Sequence, residues 1–147
     1  MEPIIFIALK INGYQAMADG SVILEVPIQV INDIMFEHSS YNGLGQTGET
    51  YLVGSDYLMR STSRFQNNSV IKTKVSTEGV REAFAGVTGK KEIIDYREIP
   101  VLSSFGMVNI PGLNWAILAE IDTKEAMIPV VSIKNNIIYL TFIIFLL

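Results

Sequence analysis

Tyr51, Arg60, Arg64, Asp95 and Tyr96 are the residues whose types and placement could do chemistry together. A guanidinium grips a carboxylate at two oxygens. With aromatic neighbours and an acid beside it, it makes a pocket for a small anion or an amino acid. The same residues also serve as structural Arg–Asp pairs or as solvated groups on strand edges, and the sequence leaves both readings open.

Other patterns carry less. Gly43-Leu44-Gly45-Gln46-Thr47-Gly48 fits G-x-G-x-x-G, but that pattern binds a dinucleotide only after a strand and before a helix. Here a helix precedes and a strand follows, so the glycines permit a tight, irregular approach to the strand. Gly89-Lys90 is not a P-loop, because Lys91 stands where Ser or Thr would hold magnesium and Phe84 where the first Gly belongs. The single histidine, His38, falls at an expected helix end with no second ligand at metal spacing, and the chain has no Cys. Neither a metal site nor a cofactor is expected. Glu49, Asp56, Asp95, Glu98, Glu120 and Asp122 fall at turns or strand ends, and no pair stands out as an acid/base couple. With no G-x-S-x-G and no Ser/His/Asp set, the chain is not expected to be an enzyme. Asn67-Asn68-Ser69 fits the glycosylation pattern, which is common by chance.

The elements that must position these residues follow from periodicity. Pro3 to Ile11 and Ser21 to Val26 read as two strands of a hairpin, with turn signals at Asn12-Gly13 and Asp19-Gly20. Ile28, Ile31, Ile34 and Met35 recur at helical spacing; Pro27 suits the first helical position, and the helix should end near residues 37–40. A strand is expected over Glu49–Val53, turned by Gly54-Ser55-Asp56, with Tyr57 to Ser61 returning. Residues 61–76 read as a long loop with a short helical piece. Thr77 can cap a helix from Glu78 to Ala85, closed by Gly86. Strands follow over Glu92–Tyr96, Ile99–Val108 and Asn114–Ile121, with turns at Arg97-Glu98 and Pro111-Gly112. Asp122-Thr123-Lys124-Glu125 has the form of a capping box, and Pro129 should kink or break the helix it opens. Strand, loop, strand, helix thus occurs twice, at Pro3–Val26 and at Pro100–Ile121, as tandem modules would produce; chance resemblance between hairpins is the alternative.

Every charged residue of the 147 precedes Ile137. From there to Leu147 the chain is apolar on every face, unlike the single stripe of a soluble surface helix. That run is shorter than the roughly 20 residues a spanning helix needs, so it reads as the start of a transmembrane helix; a buried C-terminal core helix is the alternative. Met1-Glu2-Pro3 leads straight into an apolar strand without a signal peptide, so an export signal is expected upstream. A net charge of −4, with no basic cluster beyond Lys90-Lys91, argues against nucleic acid.

Three stretches resemble the Cache sensor domains of bacterial receptors: Gly45-Gln46-Thr47-Gly48-Glu49-Thr50-Tyr51-Leu52-Val53-Gly54-Ser55-Asp56-Tyr57-Leu58-Met59-Arg60-Ser61, then Asp95 to Phe105, then Gly112 to Asp122 with Glu125-Ala126. They stand in the family's order and ahead of an apolar segment. The resemblance implies an α+β fold: a PAS-like, five-stranded antiparallel sheet flanked by helices, with a small-molecule pocket on one face. It also implies a double module. Residues 1–27 would be the last hairpin of a truncated distal module, 28–42 a connecting helix, 43–131 the membrane-proximal module, and 132–147 the start of the membrane helix. The family lies outside the membrane, periplasmic or extracellular, in chemoreceptors, sensor kinases and cyclases, and homodimers are expected from it. Two readings follow: a sensory input domain for an amino acid or carboxylate, and a ligandless spacer between a distal sensor and the membrane.

Overall fold

The computed structural model describes residues 3–12, 20–35 and 44–146. His38 and Gly43 lie outside them, as does the end expected for the first helix. Strand β1 (Ile4–Ile11) pairs antiparallel with β2 (Gly20–Pro27), Ile4 opposite Pro27 and Ile11 opposite Gly20. Pro27 is therefore the last strand residue rather than the first helical one, and helix α1 (Ile28–Met35) starts directly after it. Both faces of this hairpin are open: Phe6, Leu9, Val22, Ile23 and Leu24 are exposed.

The second sheet holds β3 (Glu49–Gly54), β4 (Gly89–Ile94), β5 (Pro100–Met107) and β6 (Trp115–Asp122), all antiparallel, in the order β3-β6-β5-β4. Among the described residues this sheet has four strands where five were expected. The return from Tyr57 pairs only singly, Val53 opposite Met59 and Leu58 opposite Lys74. The reason is local. Tyr57 turns with φ 64°, and beyond Arg60 the Ser61 hydroxyl accepts the Leu52 N–H at 3.0 Å in place of a backbone carbonyl. A side chain that takes a ladder bond ends the ladder.

The same chemistry removes the helical piece expected in residues 61–76. The Ser63 hydroxyl accepts the Phe65 and Gln66 amides, the Ser69 hydroxyl accepts the Ser63 amide, and Asn68 and Ile71 have positive φ. Helix α2 (Glu78–Phe84) begins after Thr77 as expected, but the Thr77 hydroxyl makes no capping bond and lies buried without a partner. Gly86 closes it with φ +83°.

Strand β4 lies earlier than the expected Glu92–Tyr96. The Asp95 carboxylate accepts the Arg97 and Ile99 amides at 2.7 and 3.0 Å, so the turn starts at Asp95 and the strand stops at Ile94. At the other end, Gly89 and Gly79 lie against the Phe105 ring, which a Cβ at either would meet at 3.1 or 3.0 Å.

Alternation puts Tyr51, Val53, Ala116, Leu118, Val101 and Phe105 on one face, where α2 (Val80, Ala83) and the 57–77 loop (Met59, Val75) close over them. Each large apolar side chain buried there contributes about 1.5–3 kcal/mol. The opposite face receives α1: Asn32 exchanges two hydrogen bonds with Thr62, at 2.7 and 2.8 Å, and Met35 and Leu52 line one apolar cavity.

Beyond β6 come α3 (Thr123–Ala126) and α4 (Ile128–Leu146). Pro129, which has no N–H, stands in the first turn of α4, and the helix breaks at Met127. The hairpin β5–β6 thus runs straight into a helix, as β1–β2 does. The apolar α4 is exposed along its length; from Thr123 to Phe145 the chain is long and apolar enough to cross a bilayer. A buried C-terminal core helix is therefore not what forms.

Candidate functional site

Glu49 opens β3 and faces inward, as do Tyr51 and Val53 at the same parity. Its register partner on β6 is Glu120. The two carboxylates are 5% and 4% exposed. Both fall at strand ends, and nothing in their spacing pairs them; the sheet register does. Tyr51 donates to Glu120 Oε2 at 2.8 Å and Ser103 to Oε1 at 2.8 Å. Tyr96 donates to Glu49 at 2.8 Å, the Arg64 backbone N–H donates to Glu49 Oε1 at 3.1 Å, and Ser63 lies 2.7 Å from the Tyr96 hydroxyl. The Tyr51 and Tyr96 rings meet edge to face at 5.6 Å. Parity was the missed signal: a Glu at an inward position of an otherwise apolar strand is buried.

Burial dominates the electrostatics. It pushes the Glu120 carboxyl up to about 7, against the hydroxyls of Tyr51 and Ser103, which favour the charge. Burial also raises Glu49, despite the Tyr96 hydroxyl. The Tyr51 hydroxyl is raised well above its ordinary value by burial and by the Glu120 charge.

Of the five residues proposed from sequence, Tyr51 and Tyr96 meet in this cluster. Asp95 is buried beside it, but its side chain pairs with Arg97 Nε at 2.5 Å, while Arg97 also reaches Asp122 at 2.6 Å and stacks over the Phe65 ring at 3.9 Å. Arg60 lies apart, on Asp56 at 2.7 Å and across Gly54, where any Cβ would overlap its guanidinium. Arg64 aims its guanidinium at the carbonyls of Gly45, Gln46 and Gly48. Arg97 was not among the sequence candidates; nothing in its spacing marks it, because Asp122 lies 25 residues away.

Two further features adjoin the cluster. A cleft of about 420 Å³ opens between α2 and the 95–98 turn, lined by Thr77, Arg81, Asp95, Tyr96 and Glu98. At the opposite side Glu125 accepts the amides of Gln46 and Thr47 at 2.8 and 2.7 Å and the Thr47 hydroxyl, which itself accepts the Asp122 amide at 3.2 Å. Glu125 therefore does not reach back to its own cap as a capping box requires, and Asp122 makes no side-chain cap bond. The loop competes for it and wins with three donors. Among the described residues no group of three or more acidic or His side chains could hold a metal.

No protein-family profile matches the sequence, and no curated protein does. Solved structures do match in fold. The ligand-binding domain of the Pseudomonas aeruginosa amino acid chemoreceptor PctB, in complex with L-Arg, superposes with a TM-score of 0.57 at 17% identity, over 90% of this chain and 49% of that one. The chain has the fold of about half of a chemoreceptor sensory domain. The ligand-binding domain of Pseudomonas fluorescens CtaA, with L-isoleucine, gives 0.53 at 19% identity, covering 84% and 48%. The periplasmic sensory domain of Campylobacter jejuni Tlp1 gives 0.52 at 14%, covering 86% and 51%. The chain spans about half the length of these sensory domains. That shared fold agrees with the Cache-type sensor domain the sequence resemblance implied.

Proposed function

We propose that the chain belongs to the extracytoplasmic input region of a transmembrane signalling receptor and passes a change in its sheet to a membrane helix. One observation carries this reading: β6, central in the sheet, continues through Asp122 into α3 and then into the exposed apolar α4. A displacement of β6 of about 1–2 Å, typical of signalling helices, has a direct route toward the bilayer. The sensory fold supports it. The domain is read as non-catalytic, and its output would come from cytoplasmic parts of the receptor.

The tandem division fits the same reading. Residues 1–27 are the closing hairpin of a distal module, 28–42 a connection, 43–131 the membrane-proximal module, and 132–147 the start of the membrane segment. The bare hairpin β1–β2, with apolar side chains on both faces, supports this, because a two-stranded hairpin does not stand alone. Receptors of this kind pair through their membrane-adjacent helices, and a homodimer is proposed on that basis.

The ligand class is an amino acid, as named for PctB and CtaA, or a small carboxylate, with the cleft beside Asp95 and Tyr96 as the place for it. Binding is tested by thermal shift of the full chain in nanodiscs against amino acids and small carboxylates. Stabilisation that is lost in Arg81→Ala supports a ligand in the cleft. No stabilisation by any compound favours the spacer reading. That second reading has its own observation: the polar ends of Tyr51, Arg60, Arg64, Asp95 and Tyr96 are all engaged within the protein.

A further inference from the structure

We propose that Glu49 and Glu120 form a proton-binding site, and that acidity at the outer membrane surface is a stimulus this domain reads. The proposal rests on the sensory reading and names a stimulus for it.

The geometry is that of a site held for one proton too few or one too many. Directly opposed side chains in an antiparallel pair have Cβ atoms about 4.5–5.5 Å apart, and like charges there repel. Both carboxylates are out of water. Their partners are the hydroxyls of Tyr51, Ser103 and Tyr96 and one backbone amide. Among the described residues neither has a Lys or Arg side chain in ion-pair contact.

The surrounding charges are committed elsewhere. On the 95–98 turn, Arg97 is held by Asp95 and Asp122. On the 61–65 loop, the Arg64 guanidinium holds the carbonyls of Gly45, Gln46 and Gly48. On β4, Lys91 is taken by Glu78 and Glu82 of α2; on α2, Arg81 holds the Ser76 carbonyl. On α3, Glu125 is bound to residues 46 and 47. Asp95 adds negative charge near Glu120, and the one cation that favours ionised Glu49, Arg97, is already shared between Asp95 and Asp122, so a second ionisation meets little countercharge. The upward displacement of both carboxyls agrees with this arrangement.

A route outward exists on both strands. Glu120 is two residues from the end of β6 and hence from α3. Glu49 accepts the Arg64 amide, Arg64 holds the 45–48 loop, and that loop is clasped by Glu125 of α3. With one proton bound, the pair sits closed. When that proton leaves, repulsion across the β3–β6 pair acts on both attachments of α3.

The test uses the full chain in nanodiscs with carboxyl-13C glutamate, read by infrared spectroscopy, and spin labels at Lys90→Cys and Lys124→Cys, which are unique because the chain has no Cys. A protonated-glutamate band should persist at roughly pH 6, where exposed glutamates are ionised, and fade with a midpoint near 7. It should vanish in Glu120→Gln. Ser103→Ala, a gentler change, should raise the midpoint by removing a donor to the charged form. The label distance should move by about 1–2 Å with the same midpoint, and Glu120→Gln should hold it at the acid value. Absence of the band in the wild type at that pH, or a Ser103→Ala midpoint that does not rise, overturns the site. A band that titrates while the labels stay still overturns the stimulus. In either case the sensory reading survives if an amino acid or carboxylate moves the same labels; it fails if neither pH nor any such compound does.

Discussion

Thr47 and Glu125 are 78 residues apart in sequence, yet the Thr47 amide donates to the Glu125 carboxylate at 2.7 Å and its hydroxyl donates to the same oxygen. The glycine-dense loop before β3 is therefore fastened to the short helix that leads into α4. Two carboxylate oxygens serve three donors from that loop, and charge-assisted bonds of this kind are stronger than neutral ones.

Glu125→Gln should loosen this clasp without unfolding the sheet. Hydrogen exchange at the Gln46 and Thr47 amides should speed up severalfold, while amides of β5 and β6 keep their protection. Unchanged exchange at residues 46 and 47 would show that the loop holds itself.

Gly48→Ala should release the same loop by sterics alone. A Cβ at Gly48 would overlap the backbone carbonyl of Leu44, which has no flexible end to move aside. A cost of about 1–3 kcal/mol is expected in denaturant unfolding. Gly86→Ala meets nothing nearby and is strained only by its φ of +83°; it should cost less, about 1 kcal/mol.

Stability should fall as pH rises through the neutral range, and Glu120 should account for the fall. Its folded value, about 7, lies above the ordinary 4.5. The fold then binds the proton more tightly than the unfolded chain does. The contribution is complete below about 4.5 and is lost as pH rises through 7. The span corresponds to roughly 3 kcal/mol. Urea titrations of the wild type and Glu120→Gln at several pH values check this: the difference between them should change by that amount over the window and stay flat above it. A difference independent of pH refutes it.

Arg97→Ala should destabilise by about 3 kcal/mol, because it leaves the Asp95 side chain, 1% exposed, as an unpaired buried charge. Arg97→Lys should recover only part. A lysine ammonium cannot fork between Asp95 and Asp122 while stacking flat on Phe65. Equal stability of the two variants would show that charge alone matters.

Phe142→Lys should weaken membrane partition of the full chain, since a lysine inside a membrane helix is costly, up to about 2.5–3.5 kcal/mol at its centre. Flotation with liposomes reads it directly, and unchanged flotation would mean that α4 does not enter lipid.

Most elements were legible because their signals are local. The β1–β2 hairpin, the α1 stripe of Ile28, Ile31, Ile34 and Met35 (of which Ile34 is exposed), the Gly86 stop and the Pro129 break each follow from local signals. The errors arose where a side chain competed with the backbone. Ser61 took a ladder bond, Ser63 and Ser69 replaced a helical turn, and Asp95 ended β4 early. Short polar side chains offer the backbone an alternative that composition does not announce.

Sequence by itself determined the alternation of each strand, the apolar tail and the α+β order, because these depend on intervals of two to four residues. It also carried the resemblance to a sensor fold. Only the tertiary structure decided that Glu49 faces Glu120, that Arg97 joins Asp95 to Asp122, and that Glu125 leaves its own helix end for Thr47. Apart from Asp95, two residues from Arg97, these partners lie 25 to 78 residues apart or depend on strand register. A one-residue slip in that register would have turned either glutamate out to water, where its chemistry is ordinary.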